Sequence, residues 1–121
     1  MTLVFPMDRD FDQVLASSSE AVEATVQWRS NDDRFFHVQV TRVVRGDLQP
    51  GAEIEIRPAM YALGCQAAED LSKGLPAPSC AIPRLKGSPP EILPGKTYLF
   101  LLHAGDGKVF ELSALDSYRK V

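Results

Sequence analysis

Between residues 22 and 28 the chain alternates one for one, with Val22, Ala24, Val26 and Trp28 set around Glu23, Thr25 and Gln27. Successive side chains on an extended strand point to opposite faces, so a period of two specifies a strand with one buried face. The period returns in residues 34–45, where Phe36, Val38 and Val40 hold one face and Phe35, His37, Gln39 and Thr41 the other. It slips by one at Val43-Val44, the mark of a β-bulge or a strong bend. Ile54 and Ile56, set among Glu53, Glu55 and Arg57, give a third strand that Pro58 stops. Tyr98-Leu99-Phe100-Leu101-Leu102 is apolar on both faces, which predicts the most buried strand. Gly105-Asp106-Gly107 then turns the chain into a hairpin partner carrying Val109, Phe110 and Leu112, and residues 117–121 add a short closing strand.

One segment has a different period. Phe11, Val14 and Leu15 fall at i, i+3 and i+4, which predicts a short helix within residues 8–19. Asp8 or Asp10 caps its start, and the hydroxyls of Ser17-Ser18-Ser19 compete for backbone hydrogen bonds at its end. Turns are expected at Ser30-Asn31-Asp32-Asp33, at Gly46-Asp47 and Gln49-Pro50-Gly51 with Leu48 folded inward between them, and at Pro94-Gly95. Residues 59–93 carry no sustained period, yet hold five of the nine prolines and both cysteines. An irregular insert of that length inside a compact domain points to function. At 121 residues the chain makes a single domain, 1–121, large enough for a real core. The order of elements suits an all-β fold: an OB-type Greek-key barrel of about five strands with a short N-terminal helix and one long insert.

Thirteen Lys and Arg against sixteen Asp and Glu give a net charge of −3, which makes a nucleic-acid partner unlikely, because such binding rests on neutralised phosphates. No apolar run approaches the length of a membrane span. Leu3-Val4-Phe5 is cut off by Pro6 and Asp8-Arg9-Asp10, so no secretory signal is visible. Cys65 and Cys80 lie fifteen positions apart. In an oxidising compartment they close a loop that stabilises the chain by about 3 kcal/mol, and in the cytosol they remain two thiols. Their place within one irregular segment favours the disulfide.

Motifs of catalysis fail on inspection. Gly95-Lys96-Thr97 copies the end of a phosphate-binding loop, but Pro90 holds the position of the first glycine and a strand follows where a helix is needed. Cys65, Cys80, His37 and His103 lack the close pairing of structural zinc ligands. A thiol enzyme would pair Cys65 or Cys80 with His37 or His103, a geometry that the sequence does not supply. The expectation is no catalytic residue, no metal and no cofactor. One patch has binding character: Trp28, Arg29, Arg34, Phe35 and His37, with Arg42 and Arg45 nearby, collect arginines and aromatics on one hairpin. Strict alternation places Trp28 and Phe36 in the core and leaves Phe35 with the arginines outside, which favours plain surface coverage.

Four strings carry a family resemblance. Residues 15–26, Leu15-Ala16-Ser17-Ser18-Ser19-Glu20 running into Ala21-Val22-Glu23-Ala24-Thr25-Val26, resemble the entry helix and first strand of bacterial proteins with a tissue-inhibitor-of-metalloproteinase-like (netrin-like) OB fold. Val40-Thr41-Arg42-Val43-Val44-Arg45-Gly46-Asp47-Leu48 with Gly51 and Ile54-Glu55-Ile56 is similar to that family's strand, basic-Gly turn and next strand. Residues 93–102, from Leu93-Pro94-Gly95 to Leu101-Leu102, resemble its Tyr-Leu strand, and residues 107–112 its last hairpin. The resemblance implies an exported, non-catalytic binding or protein-interaction module, periplasmic or secreted once a signal peptide has been removed, with a cytoplasmic protein as the alternative. The animal inhibitors act through an N-terminal Cys-x-Cys segment. No cysteine precedes Cys65, so that mechanism does not carry over. The contact surfaces expected are the 59–93 insert and the Trp28–Phe36 hairpin, for an unknown protein partner and with the oligomeric state left open. The competing reading is a ligand-binding OB domain for single-stranded nucleic acid or oligosaccharide.

Overall fold

The computed structural model describes residues 3–31, 35–57, 79–87, 89–105 and 107–121, with backbone alone at 3–6 and 79–82. Its elements are β1 (Leu3–Arg9), α1 (Phe11–Ser17), β2 (Glu20–Arg29), β3 (Phe36–Arg45), β4 (Glu53–Arg57), β5 (Ser79–Leu85), β6 (Thr97–Ala104), β7 (Val109–Leu112) and β8 (Tyr118–Lys120). Strand order in the main sheet is β2-β3-β4-β7-β6-β8, and β6 also pairs back onto β2, so five of these strands close into a barrel to which β8 is added along β6. All neighbours are antiparallel except β4 and β7. This is the all-β, OB-type barrel expected from the period-two pattern.

The inward phase of each strand builds the core. Val22, Ala24, Val26, Val38, Ile56, Phe100 and Leu102 are fully excluded from solvent, with Val40, Phe36, Ile54, Tyr98, Phe110 and Leu112 packed around them. Strand β6 is apolar on both faces for a reason now visible. Phe100 and Leu102 enter the barrel, while Leu101 faces outward into a second cluster with Val14, Ala21, Leu85 and Ala114, over which Phe11 and Leu15 of α1 are packed. The helix therefore roofs one side of the barrel. The Gln13 side-chain carbonyl accepts the Asp10 amide at 2.9 Å, and Ser17 and Ser18 turn their hydroxyls back onto the Val14 carbonyl at 2.9 and 2.7 Å. Among the described residues no helix is long and apolar enough to cross a membrane.

Two strands were not legible in the sequence. Residues 3–9, read only as a failed signal, form β1, and the supposedly irregular insert contains β5; the two pair in parallel from Leu3 opposite Ser79 to Arg9 opposite Leu85. Pro6 and Pro83 interrupt the strand signal in each; on its second edge β5 meets only Leu115, where Pro83 serves as an acceptor and needs no N–H. Asp8 and Arg84 add an ion pair at 2.7 Å across this ribbon. Ile92, from the same insert, is buried in the barrel core. Cys65 lies outside the described residues and Cys80 is described by its backbone alone, so the proposed disulfide lies outside them as well.

The β3–β4 turn is held by a buried carboxylate. Glu20, 7% exposed, accepts the amides of Asp47 at 2.8 Å and Leu48 at 3.3 Å, which folds Leu48 against the core as its place in the turn suggested. Gly46 sits at φ +107°, and a β-carbon there would collide with the Glu20 carboxylate. Gly46→Ala is expected to destabilise the fold by about 2–4 kcal/mol, combining backbone strain with displacement of a buried hydrogen-bonded charge. Urea denaturation measures this. Because the two residues act as one unit, a Gly46→Ala/Glu20→Ala double variant should lose clearly less than the sum of the single losses.

Candidate functional site

Strand β2 is bonded on both sides only as far as Thr25, which faces Thr97 of β6. Val26 then exchanges hydrogen bonds with the Gly95-Lys96 turn, donating to Lys96 O at 2.9 Å and accepting from Gly95 at 2.7 Å. Beyond it β2 follows β3 alone, and the register breaks. Val26 faces Val38, but the next pair is Trp28 with His37, so Gln27 is an extra residue on β2. An extra residue moves the following side chains to the other face. Gln27 and Trp28 consequently both point outward, and Trp28 is 49% exposed. This corrects the expectation that Trp28 joins Phe36 in the core. Phe36 is buried there, and Ile92 occupies the same end of the barrel.

The bulge assembles what strict alternation would have kept apart. Ser30 closes the hairpin onto Phe35: its amide donates to Phe35 O at 3.0 Å and its hydroxyl accepts the Phe35 amide at 3.2 Å. Phe35 and His37, two residues apart, share the outer face with Trp28. The Trp28 ring lies 5.4 Å from Phe35 and 5.2 Å from His37, the latter edge-on at 80°, and Phe35 and His37 are 6.2 Å apart. The three rings thus form one contiguous aromatic platform.

A polar rim continues across the sheet. His37 faces Glu55 on β4, with Nε2 3.4 Å from Oε1, and the other Glu55 oxygen accepts from Arg57 Nε at 2.9 Å. In the next row Gln39 faces Glu53, and Gln27 donates its amide to Glu53 at 3.2 Å. In the OB architecture this face, the second and third barrel strands with the loop before them, is where ligands bind.

Of the sequence-derived candidates, Trp28, Phe35 and His37 come together. Arg29 is turned aside: its Nη1 donates to Ile92 O at 2.8 Å, tying the insert to the barrel end. Arg34 lies outside the described residues. Arg42 is paired with Glu23 at 3.0 Å, away from the platform. Glu53, Glu55, Gln27 and Gln39 were missed. Their outward phase was readable, but their nearness to Trp28 depends on interstrand register, which a single strand's pattern does not carry.

The second histidine belongs elsewhere. His103 on β6 faces Glu111 on β7, and half-burial lowers its pKa below the ordinary 6.5 while the Glu111 charge opposes that shift. The unfolded chain therefore holds more protons than the folded one between the lowered midpoint and 6.5. His103 should cost stability progressively as pH falls through 6.5 and reduce it no further below the folded midpoint. Urea midpoints taken from about pH 8 to about pH 5 should show this slope in the native chain and less of it in His103→Gln. For Trp28→Ala the loss of stability should be under about 1 kcal/mol, against about 3–5 kcal/mol for Phe100→Ala, because only the second opens a cavity.

Compared with known proteins, the chain matches no family model, no curated protein and no solved structure.

Proposed function

We propose that this chain is a non-catalytic binding module whose contact face is the platform of Trp28, Phe35 and His37. One observation carries the reading: the largest side chain in the sequence is turned out of the core by a dedicated register break and packed against two further rings in solvent. Exposing an indole forgoes burial worth about 2–3 kcal/mol. Aromatic side chains in such positions are characteristic anchors of binding surfaces. The platform's coincidence with the OB ligand face favours a second, narrower form of the same reading, a ligand-binding OB domain.

The resemblance to bacterial netrin-like proteins is proposed on the four residue strings, and an OB-type barrel is the fold it implies. It brings with it the proposal of an exported protein acting in the cell envelope, its cysteines joined in the oxidising compartment. Native protein should then release no thiol equivalent with Ellman reagent, and two after reduction and denaturation. Two reactive thiols in the native protein would remove the argument for export.

The binding face is tested with labelled single-stranded oligonucleotides at low and high salt, alongside an envelope extract passed over immobilised protein. The expected result is weak oligonucleotide binding and retention of a saturable ligand that Trp28→Ala/Phe35→Ser fails to retain. Tight oligonucleotide binding that collapses with salt would replace this reading with nucleic-acid recognition.

A further inference from the structure

Resting on the platform reading above, we infer that the ligand taken there is an uncharged oligosaccharide, stacked on Trp28 and hydrogen-bonded by the side chains of β3 and β4.

The ring geometry comes first. Centroids 5.2 to 6.2 Å apart belong to rings in direct contact, tilted by 53° to 80°. No gap is left between them for a guest, so this is no cage for an ammonium group; a ligand meets only the outer faces of the rings. A flat, partly apolar body is required. The choice narrows to an aromatic base, an apolar side chain or the C–H face of a sugar ring.

Charge decides against the base. Among the described residues, Arg57 is engaged by Glu55 at 2.9 Å, and Arg29 is held by the Ile92 carbonyl at 2.8 Å. The groups that border the rings on β4 are carboxylates, Glu53 and Glu55, in a chain of net charge −3. Phosphates would be repelled where a nucleic acid needs them neutralised.

The rim decides against a purely apolar partner. Glu55 meets His37 of the platform at 3.4 Å, and Gln39 opposite Glu53 forms the next cross-strand row, so amide and carboxylate groups follow the rings at the spacing of neighbouring strands. An apolar surface laid on the platform would strip water from these groups without replacing their hydrogen bonds. Vicinal hydroxyls replace them. A sugar ring combines an apolar C–H face for Trp28 with equatorial hydroxyls for the rim, and carries no charge to offend either carboxylate.

Trp28 is the only tryptophan in the chain, so the site carries its own reporter. Intrinsic fluorescence is to be titrated with neutral hexasaccharides of glucose, xylose, mannose and N-acetylglucosamine, and in parallel with heparin and single-stranded oligothymidylate. The expected result is a saturable change with at least one neutral oligosaccharide that moves less than about twofold between low and high salt, because no counterions are released. Calorimetry on Trp28→Ala, which removes the reporter, should show binding weakened by about tenfold or more, with Trp28→Phe intermediate. Glu53→Gln should alter the preference among the sugars more than Trp28→Phe does. Since Trp28 is exposed, unchanged thermal melting of Trp28→Ala separates loss of binding from loss of fold. Absence of binding to every neutral sugar, or binding only to heparin or oligothymidylate, overturns the inference. A retained protein ligand that Trp28→Ala/Phe35→Ser loses would overturn the sugar while leaving the binding face intact; retention unaffected by those substitutions would overturn the face itself.

Discussion

Strand β2 pairs with two neighbours at once, and the rest of the molecule follows from that double commitment. Through residues 20–25 it is bonded to β6, and along its whole length to β3. This closes the barrel, leaves none of that stretch as a free edge, and fixes which phase of the alternation points inward. Ala21 is the only outward residue of that stretch fully buried by the roof, and α1 is the element that covers it together with Leu101. The same commitment ends abruptly. At Val26 the Gly95-Lys96 turn replaces β6 as partner, and residues 27–29 are no longer constrained from both sides. The two earlier register shifts of this ladder place their extra residue on β3, and only here does β2 carry one, so the aromatic platform sits at the first point where β2 escapes its second neighbour.

Loop residues complete the arrangement. Ile92 enters the core from the insert and is anchored by the Arg29 bond to its carbonyl, while Tyr98 fixes the flanking chain by donating to Glu91 O at 2.7 Å and accepting from Leu93 N at 2.9 Å. A residue of the insert thus joins the core and is tied to the strand end at which the Trp28 side chain turns outward.

Much of this fold was legible because period-two alternation depends only on local geometry. Val22, Ala24 and Val26, then Phe36, Val38 and Val40, then Ile54 and Ile56, all take the buried face that their phase assigns. The slip at Val43-Val44 was also visible, and appears as the register change between Val22 opposite Val43 and Ala21 opposite Arg45. The failures have physical causes of two kinds. In β1 and β5, prolines mask strands that belong to a two-stranded ribbon outside the barrel. At Trp28 the alternation itself continues unbroken in the sequence, since Gln27 is polar and Trp28 apolar, and only pairing with β3 and β6 reveals that one residue is supernumerary. Local pattern reports the faces of a strand; it does not report the register in which two strands meet.

That distinction also explains why the candidate site was half seen. The composition of the hairpin marks it as a binding surface and gives the arginines the leading part. Their geometry moves them to its margins: Arg29 braces Ile92, Arg42 pairs with Glu23, and Arg57, outside the hairpin altogether, neutralises Glu55. With Arg29, Arg42 and Arg57 engaged, the described part of the face presents its rings together with carboxylates and amides. The uncharged ligand proposed for the platform follows from that change, with one apolar side for the rings and hydroxyls for the rim.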